Sequence, residues 1–228
     1  MKIAIIAAMR KELDLILQQM PDCIEITIGN LTVYSGEIGG NDVVACQCGI
    51  GKVNSALRTA KIIEEFSPDL IINSGVAGSV DESLEIGSVL IADKVTYHDV
   101  WCPGNEYGAV DGMPVFYETD SRGLSALESI VKSSSIPIHK GLICSGDFFV
   151  SKPEEVEKIK SHFPTALGCD MESASIAQTC YIHNTPFMIV RVMSDMPGGG
   201  HNISEYANFW TDAPVKTFGI VSKLIESL

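Results

Sequence analysis

The sequence predicts an α/β fold: a three-layer αβα sandwich around a central mixed β-sheet, built as one domain over residues 1–228. Three observations predict it. Continuous apolar runs bounded by turn residues, such as KIAIIAAM, DLIINSGVAG and PFMIVRVMSD, have the character of strands buried on both faces. Helical patterns alternate with these runs, the signature of helices laid on a sheet. ITIGNLTVYSGEIGGNDVVACQC reads as short antiparallel strands joined by Gly-Asn and Gly-Gly-Asn turns, which makes the sheet mixed.

In chain order, KIAIIAAM is read as a buried first strand rather than a signal peptide, because Arg10 and Lys11 follow at once and no small-residue cleavage pattern appears. KELDLILQQM is a helix, followed by the antiparallel strands and by VNSALRTAKIIEEF, a second helix. DLIINSGVAG and SVLIADKVTY are strands. The stretch 99–120, WCPGNEYGAVDGMPVFYETD, is irregular, and its Gly, Pro and aromatic content suits a binding wall better than a linker. KGLICSGDFFV is a strand, EEVEKIKSHF a helix, ALGCDM a short strand and ESASIAQTCYIH a helix. PFMIVRVMSD is the last strand, MPGGGHN a second irregular loop, and VKTFGIVSKLIESL a closing helix.

Composition narrows the function. The chain is long enough for one good core, with 46% hydrophobic and 20% charged residues. Its net charge of −13 would repel nucleic-acid backbones and anionic lipid surfaces, so neither is expected as a partner. No apolar run approaches the length of a membrane span. The cysteines, at 23, 46, 48, 102, 144, 169 and 180, are odd in number and form no CxxC pair, which fits free thiols in a reducing cytoplasm. The histidines, at 98, 139, 162, 183 and 201, show no zinc spacing, so no metal and no cofactor is expected.

Three acids fall where strands end. Glu12 lies in the first helical turn after KIAIIAAM, Glu172 follows ALGCDM, and Asp195 ends PFMIVRVMSD. Ligands of α/β sheets collect beyond the carboxyl ends of strands, so these acids could share one cleft. Each alone reads first as a cap, turn or first-turn residue complementing the helix dipole, and only their joint position at strand ends lifts the functional reading. Gly49-Ile50-Gly51-Lys52, ahead of a helix, reads either as a phosphate cradle or as a tight turn, and lacks the spacing of a P-loop. Gly75-Val76-Ala77-Gly78 lets backbone or ligand come close, which makes Ala77 and Gly78 candidate binding residues. Phe148-Phe149 is core or ligand platform. Arg191, inside an apolar strand, needs an acidic partner. His98, near Cys102, lacks a nucleophile motif and is read as structural.

The ordered motifs KIAIIAAMRKEL, CGIGKVNSA, IINSGVAGSV, IADKVTYHDV, GLICSGDFFV, CDMESASIA and VRVMSD cover nearly the whole chain. Together they resemble the 5′-methylthioadenosine/S-adenosylhomocysteine nucleosidases of the purine nucleoside phosphorylase superfamily. The resemblance implies a nucleoside phosphorylase-like fold. It also implies a homodimeric, cytoplasmic hydrolase of methionine salvage that cleaves 5′-thio-substituted adenosines, with 5′-deoxyadenosine a further candidate. By matching motif, Glu12 would activate water, Glu172 would bind the ribose hydroxyls and Asp195 would be the acid at adenine N7. Phe149 would stack on adenine and the Val150 backbone would read its edge. Met9 and Met171 would touch the ribose, Ile50 would line the thioalkyl side, and Arg191 and Ser194 would support the water and the acid.

Glycosidic cleavage builds positive charge on the sugar and negative charge on the leaving base, and three acids in one cleft answer both. Asp195 can hold a proton near neutrality only if burial or a neighbouring carboxylate raises it from about 3.9, whereas Glu12 must be ionised, with Arg191 able to keep it so. Helix N–H groups are expected to stabilise Glu172 in part, and Asp170 is a structural residue at the helix entry. Val76 stands where a hydroxyl residue is common in the family, and the roles of Trp101 and Tyr107 in the 99–120 loop stay open. Tyr206 or Phe209 would close the pocket. Phosphorolysis, hydrolysis of 6-amino-6-deoxyfutalosine and a catalytically silent nucleoside sensor remain alternatives at this level.

Overall fold

The structure is a computed structural model that describes residues 1–122, 124, 125, 130, 136–212 and 214–228, with backbone alone over 211, 212 and 214–218. The elements run β1 (Lys2–Ala7), α1 (Arg10–Leu17), β2 (Ile24–Ile28), β3 (Leu31–Ile38), β4 (Asn41–Gln47), α2 (Lys52–Phe66), β5 (Leu70–Ser79) and β6 (Val89–Tyr97). They continue with β7 (Tyr117–Glu118), β8 (Ile138–Ser145), α3 (Pro153–His162), β9 (Ala166–Asp170), α4 (Ser173–His183), β10 (Phe187–Asp195), α5 (Asn202–Asp212) and α6 (Pro214–Glu226).

All strands join one mixed sheet in the order β10-β6-β8-β9-β5-β1-β4-β3-β2, with β7 on β6 and a further pairing of β10 with β5. The alternation of β1 distributes its side chains to two cores. Ile3 and Ile5 pack with Leu13 and Ile16 of α1 and with Val221, Leu224 and Ile225 of α6. Ala4 and Ile6 pack on the other face with Ile62 of α2 and with Ala174, Ile176 and Cys180 of α4. Helices thus cover both faces, the physical reason the strands are apolar without interruption.

Two parallel sets, β4-β1-β5-β10 and β6-β8-β9, meet in opposite directions. At one junction only the tips touch: Gly78 and Ser79 of β5 oppose Cys169 and Gly168 of β9. Gly78 also registers with Asp195 at the end of β10. The carboxyl ends of β5, β9 and β10 therefore converge, and the site forms there.

The antiparallel β2-β3-β4 meander with turns at Gly29 and Gly39-Gly40 matches the sequence expectation. Helix α5 was not expected. Its hydrophobic pattern is inverted, with Asn202 3% exposed while Ile203 is 69% exposed, so periodicity alone conceals it.

At the β3–β4 turn, Gly39 has φ +59° and a Cβ there would lie 2.8 Å from Cα of Glu226, while Gly40 has φ +80° and open space. Gly39→Ala is expected to lower stability by about 2 kcal/mol and Gly40→Ala by about 1 kcal/mol, read as the difference in urea-unfolding midpoints.

Candidate active site

The cleft at the converging strand ends has about 680 Å³ of empty space, its open mouth included. Met9, Glu12, Ile50, Ala77, Gly78, Phe149, Val150, Met171, Glu172, Ser194 and Asp195 all line it. Arg191 does not. Among the described residues no group of three or more His, Cys, Asp or Glu side chains is arranged to hold a metal ion.

Glu12 sits in the first turn of α1 and is 2% exposed. Its Oε2 accepts the N–H of Met9 at 2.8 Å and its Oε1 that of Val76 at 3.0 Å. Burial pushes the carboxyl up from its ordinary range, opposed by the charge of Arg191 and by the N–H groups of Met9, Val76 and Ala8. Val76 therefore contributes through its backbone, which no side-chain pattern could reveal. A Cβ at Gly75 would lie 2.7 Å from both Glu12 Oε1 and Arg191 Nη1, so the missing side chain is what lets the two groups approach.

Arg191 is buried behind the residues that line the cleft. Its acidic partner is Asp170: Nε donates to Oδ2 at 2.8 Å and Nη2 lies 2.6 Å from the same oxygen. Nη2 also donates to Asn73 Oδ1 at 2.5 Å and to Ser173 Oγ at 2.9 Å. Arg191 acts on Glu12 through charge alone; no ion pair joins them among the described residues. Neither Asn73 nor Ser173 stood out in the sequence, since an amide and a hydroxyl in apolar runs carry no periodic signal.

Glu172 is the residue at the N-cap of α4, but its side chain makes no bond to that helix. Its Oε1 accepts the N–H of Gly51, at the start of α2, at 2.9 Å. The expectation of N–H stabilisation is thus met by a different helix. Asp170 serves the entry of α4 instead, with both carboxyl oxygens 3.3 Å from the Ser173 N–H. Burial first, and the charge of Asp170 second, push Glu172 up to about 8; Arg191 and the Gly51 N–H oppose this.

The turn at Gly49–Lys52 is tight, with φ +88° at Gly49 and +92° at Gly51. Its donors are already taken: Gly51 N–H by Glu172 and Lys52 N–H by Asp147 Oδ1 at 2.8 Å. Carboxylates occupy the positions a phosphate would need.

Asp195 is 2% exposed; its Oδ1 accepts from Ser194 Oγ at 2.6 Å and its Oδ2 from Asn202 Nδ2 at 3.3 Å. Burial raises it, as the sequence predicts, against the pull of both hydrogen bonds. Phe149 stays 44% exposed in the cleft, edge-on to Tyr206 at 5.7 Å between centroids. Tyr206 lines the cleft and donates to Met9 Sδ at 3.3 Å, whereas Phe209 is buried in the core beneath. Of these two aromatics, Tyr206 is the one that lines the pocket. Trp101 and Tyr107 lie outside the cleft: Trp101 is exposed and Tyr107 stacks on His162 at 3.6 Å. His98 is buried edge-on to Phe148.

The raised value of Glu172 fixes a stability sign. A carboxyl near 8 in the folded chain and about 4.3 unfolded takes up a proton on folding between those values. Its contribution is complete below the unfolded value and is lost as pH rises through the folded one. Unfolding free energy is expected to fall from about pH 5 to about pH 8, and Glu172→Gln to flatten that slope by up to about 1.4 kcal/mol per pH unit in denaturant titrations.

Comparison with known proteins agrees over the whole chain. A family profile described as the phosphorylase superfamily matches residues 2–226. The chain is 41% identical, over an alignment of 233 positions covering 100% of both, to a 5′-methylthioadenosine/S-adenosylhomocysteine nucleosidase of Lysinibacillus sphaericus. It is 40% identical over 228 positions, covering 99% of this chain and 100% of the other, to the nucleosidase of that name from Staphylococcus aureus. The S-adenosylhomocysteine nucleosidase of Streptococcus pyogenes, solved with 5-methylthiotubericidin, superposes with a TM-score of 0.95 at 36% identity, covering 100% of this chain and 97% of that one. The Neisseria meningitidis nucleosidase, solved with methylthio-immucillin-A, gives 0.94 at 34% identity, covering 100% and 99%. The chain belongs to the 5′-methylthioadenosine/S-adenosylhomocysteine nucleosidase family of the phosphorylase superfamily.

Proposed function

We propose that this cleft hydrolyses the N-glycosidic bond of 5′-methylthioadenosine and S-adenosylhomocysteine, releasing adenine and the 5′-thio-substituted ribose. The observation that carries this reading is the lining of one cleft by Glu12, Glu172 and Asp195, with the N–H donors at the start of α2 already bonded to carboxylates. A site for phosphorolysis would need those donors free and would not place Glu12 where the anion attacks.

Burial raises both carboxyls; the charge of Arg191 and backbone N–H groups oppose it at Glu12, and the side chains of Ser194 and Asn202 oppose it at Asp195. Asp195, raised by burial, gives its proton to N7 as the bond to adenine breaks. Glu12 removes a proton from water, whose oxygen adds to the sugar carbon. Glu172, held at Oε1 by Gly51, meets the ribose hydroxyls, with Met9 and Met171 as apolar walls. Phe149 and Tyr206 bracket the base and the 5′ side, and the Val150 backbone reads the base edge.

We infer a homodimer. Val53 and Leu57 on α2, Tyr181 and Ile182 on α4, and Trp101 in the loop after β6 are each more than half exposed. Ile50 is likewise 51% exposed and also lines the cleft, so a partner covering this apolar surface would wall the 5′ end. All seven cysteines are unpaired, which suits a reducing compartment such as the cytoplasm. No helix among the described residues is long and apolar enough to cross a membrane.

Glu12→Gln and Asp195→Asn are each expected to slow adenine release from methylthioadenosine by about 10²–10⁴-fold, followed by chromatography with and without phosphate. Wild-type rates in both, or a pentose 1-phosphate product, would overturn the reading. Leu57→Glu is expected to shift the chain to monomer in sedimentation velocity.

A further inference from the structure

The segment from Met196 through α5 carries a contact that the functional reading leaves unused. Asn202, the first residue of α5, is 3% exposed although its side chain is polar. Its Nδ2 donates to two acceptors, the Val150 carbonyl at 3.2 Å and Asp195 Oδ2 at 3.3 Å. The segment leading to it is held from both sides. Met196 N–H donates to Glu205 Oε2 of α5 at 2.9 Å, and Pro197 lies so close to Gly78 that a Cβ there would fall 2.6 Å from Pro197 Cγ.

We propose that Asn202 is a positioning residue for the acid: its amide holds the Asp195 carboxyl in register with the Val150 carbonyl and makes the seating of α5 part of assembling the proton donor. This rests on Asp195 being the acid of the proposed hydrolysis. The chemistry of the two neighbours of Asp195 differs. Ser194 Oγ, on Oδ1, can donate or accept, and can turn when the carboxyl gains a proton. The Asn202 amide nitrogen can only donate, so it always favours the ionised carboxylate. Burial alone would make Asp195 a weak acid; the fixed donor offsets that and keeps proton transfer to the base favourable. Because the same nitrogen also bonds Val150, the oxygen it holds is aligned with the strip of backbone proposed to read the base edge.

Other titratable groups facing Asp195 are Glu205 and Tyr206 from α5 and Cys169 from β9, and Glu12 and Glu172 share the cleft. None is altered in the test variants. The test measures kcat and KM for methylthioadenosine across pH in wild type, Asn202→Ala and Asn202→Asp, with Asp195→Asn alongside. Asn202→Asp keeps the volume and removes the donor. The basic limb of kcat/KM, where the acid loses its proton, is expected to move up by about half a unit or more in both Asn202 variants, further in Asn202→Asp. The value of kcat at neutral pH is expected to fall about tenfold, with KM changing less. An unmoved basic limb in both variants, with effects confined to KM or to thermal stability, would overturn the inference while a dead Asp195→Asn left the hydrolytic reading standing. Full activity in Asp195→Asn would instead remove the acid on which the inference depends.

Discussion

A guanidinium with 1% exposure must be compensated, and the way Arg191 is compensated organises the site around it. Removing a charge from water costs several kcal/mol unless its hydrogen bonds are replaced. Here Asp170 from β9, Asn73 from β5 and Ser173 from α4 replace them for a side chain on β10. Four elements are thereby tied at the point where the strand tips meet. Asp170 also accepts from Ser145 Oγ on β8, so a fifth element joins the network. Loss of either partner would leave an unpaired charge in the core, a cost of about 3–5 kcal/mol. The pair thus specifies how β9 and β10 converge, more than it adds net stability.

The same pair sets the electrostatics of the cleft. Arg191 is one cation against Glu12, Glu172 and Asp170, and both cleft carboxyls feel it as a stabilising charge. Because the hydrogen bonds of Arg191 go to Asp170, Asn73 and Ser173, the compensation reaching Glu12 and Glu172 is through charge alone, and burial wins at both. The occupied N–H groups of Gly51 and Lys52 disfavour a phosphate nucleophile at the same place. A preference for water over phosphate is therefore written in donor occupancy.

The α5 side of the cleft is built on different physics. Tyr206 lines it with a thioether contact and an edge-on ring contact to Phe149, and Lys11 lies over the rings of Tyr206 and Trp210 at 4.8 and 3.7 Å. These contacts join α5 to α1, the helix that carries Glu12, so one face of the cleft is anchored beside Glu12 while Asn202 reaches Asp195.

The sequence by itself determined the strands, most helices, the mixed sheet and the three acids. Those features are written in local periodicity, in glycine turns and in motifs whose order survives along the chain. It also showed that a buried Arg191 needs an acid. Only the tertiary structure decided which one: Asp170, whose partner lies 21 residues away on another strand. The same holds for Val76 acting through its N–H, Gly51 serving Glu172, Tyr206 rather than Phe209 at the pocket, and α5 itself. Each of these depends on backbone donors or on burial that opposes side-chain polarity. Neither leaves a trace in composition or spacing, because a backbone N–H is the same at every residue but proline and acquires a role only when the fold aims it.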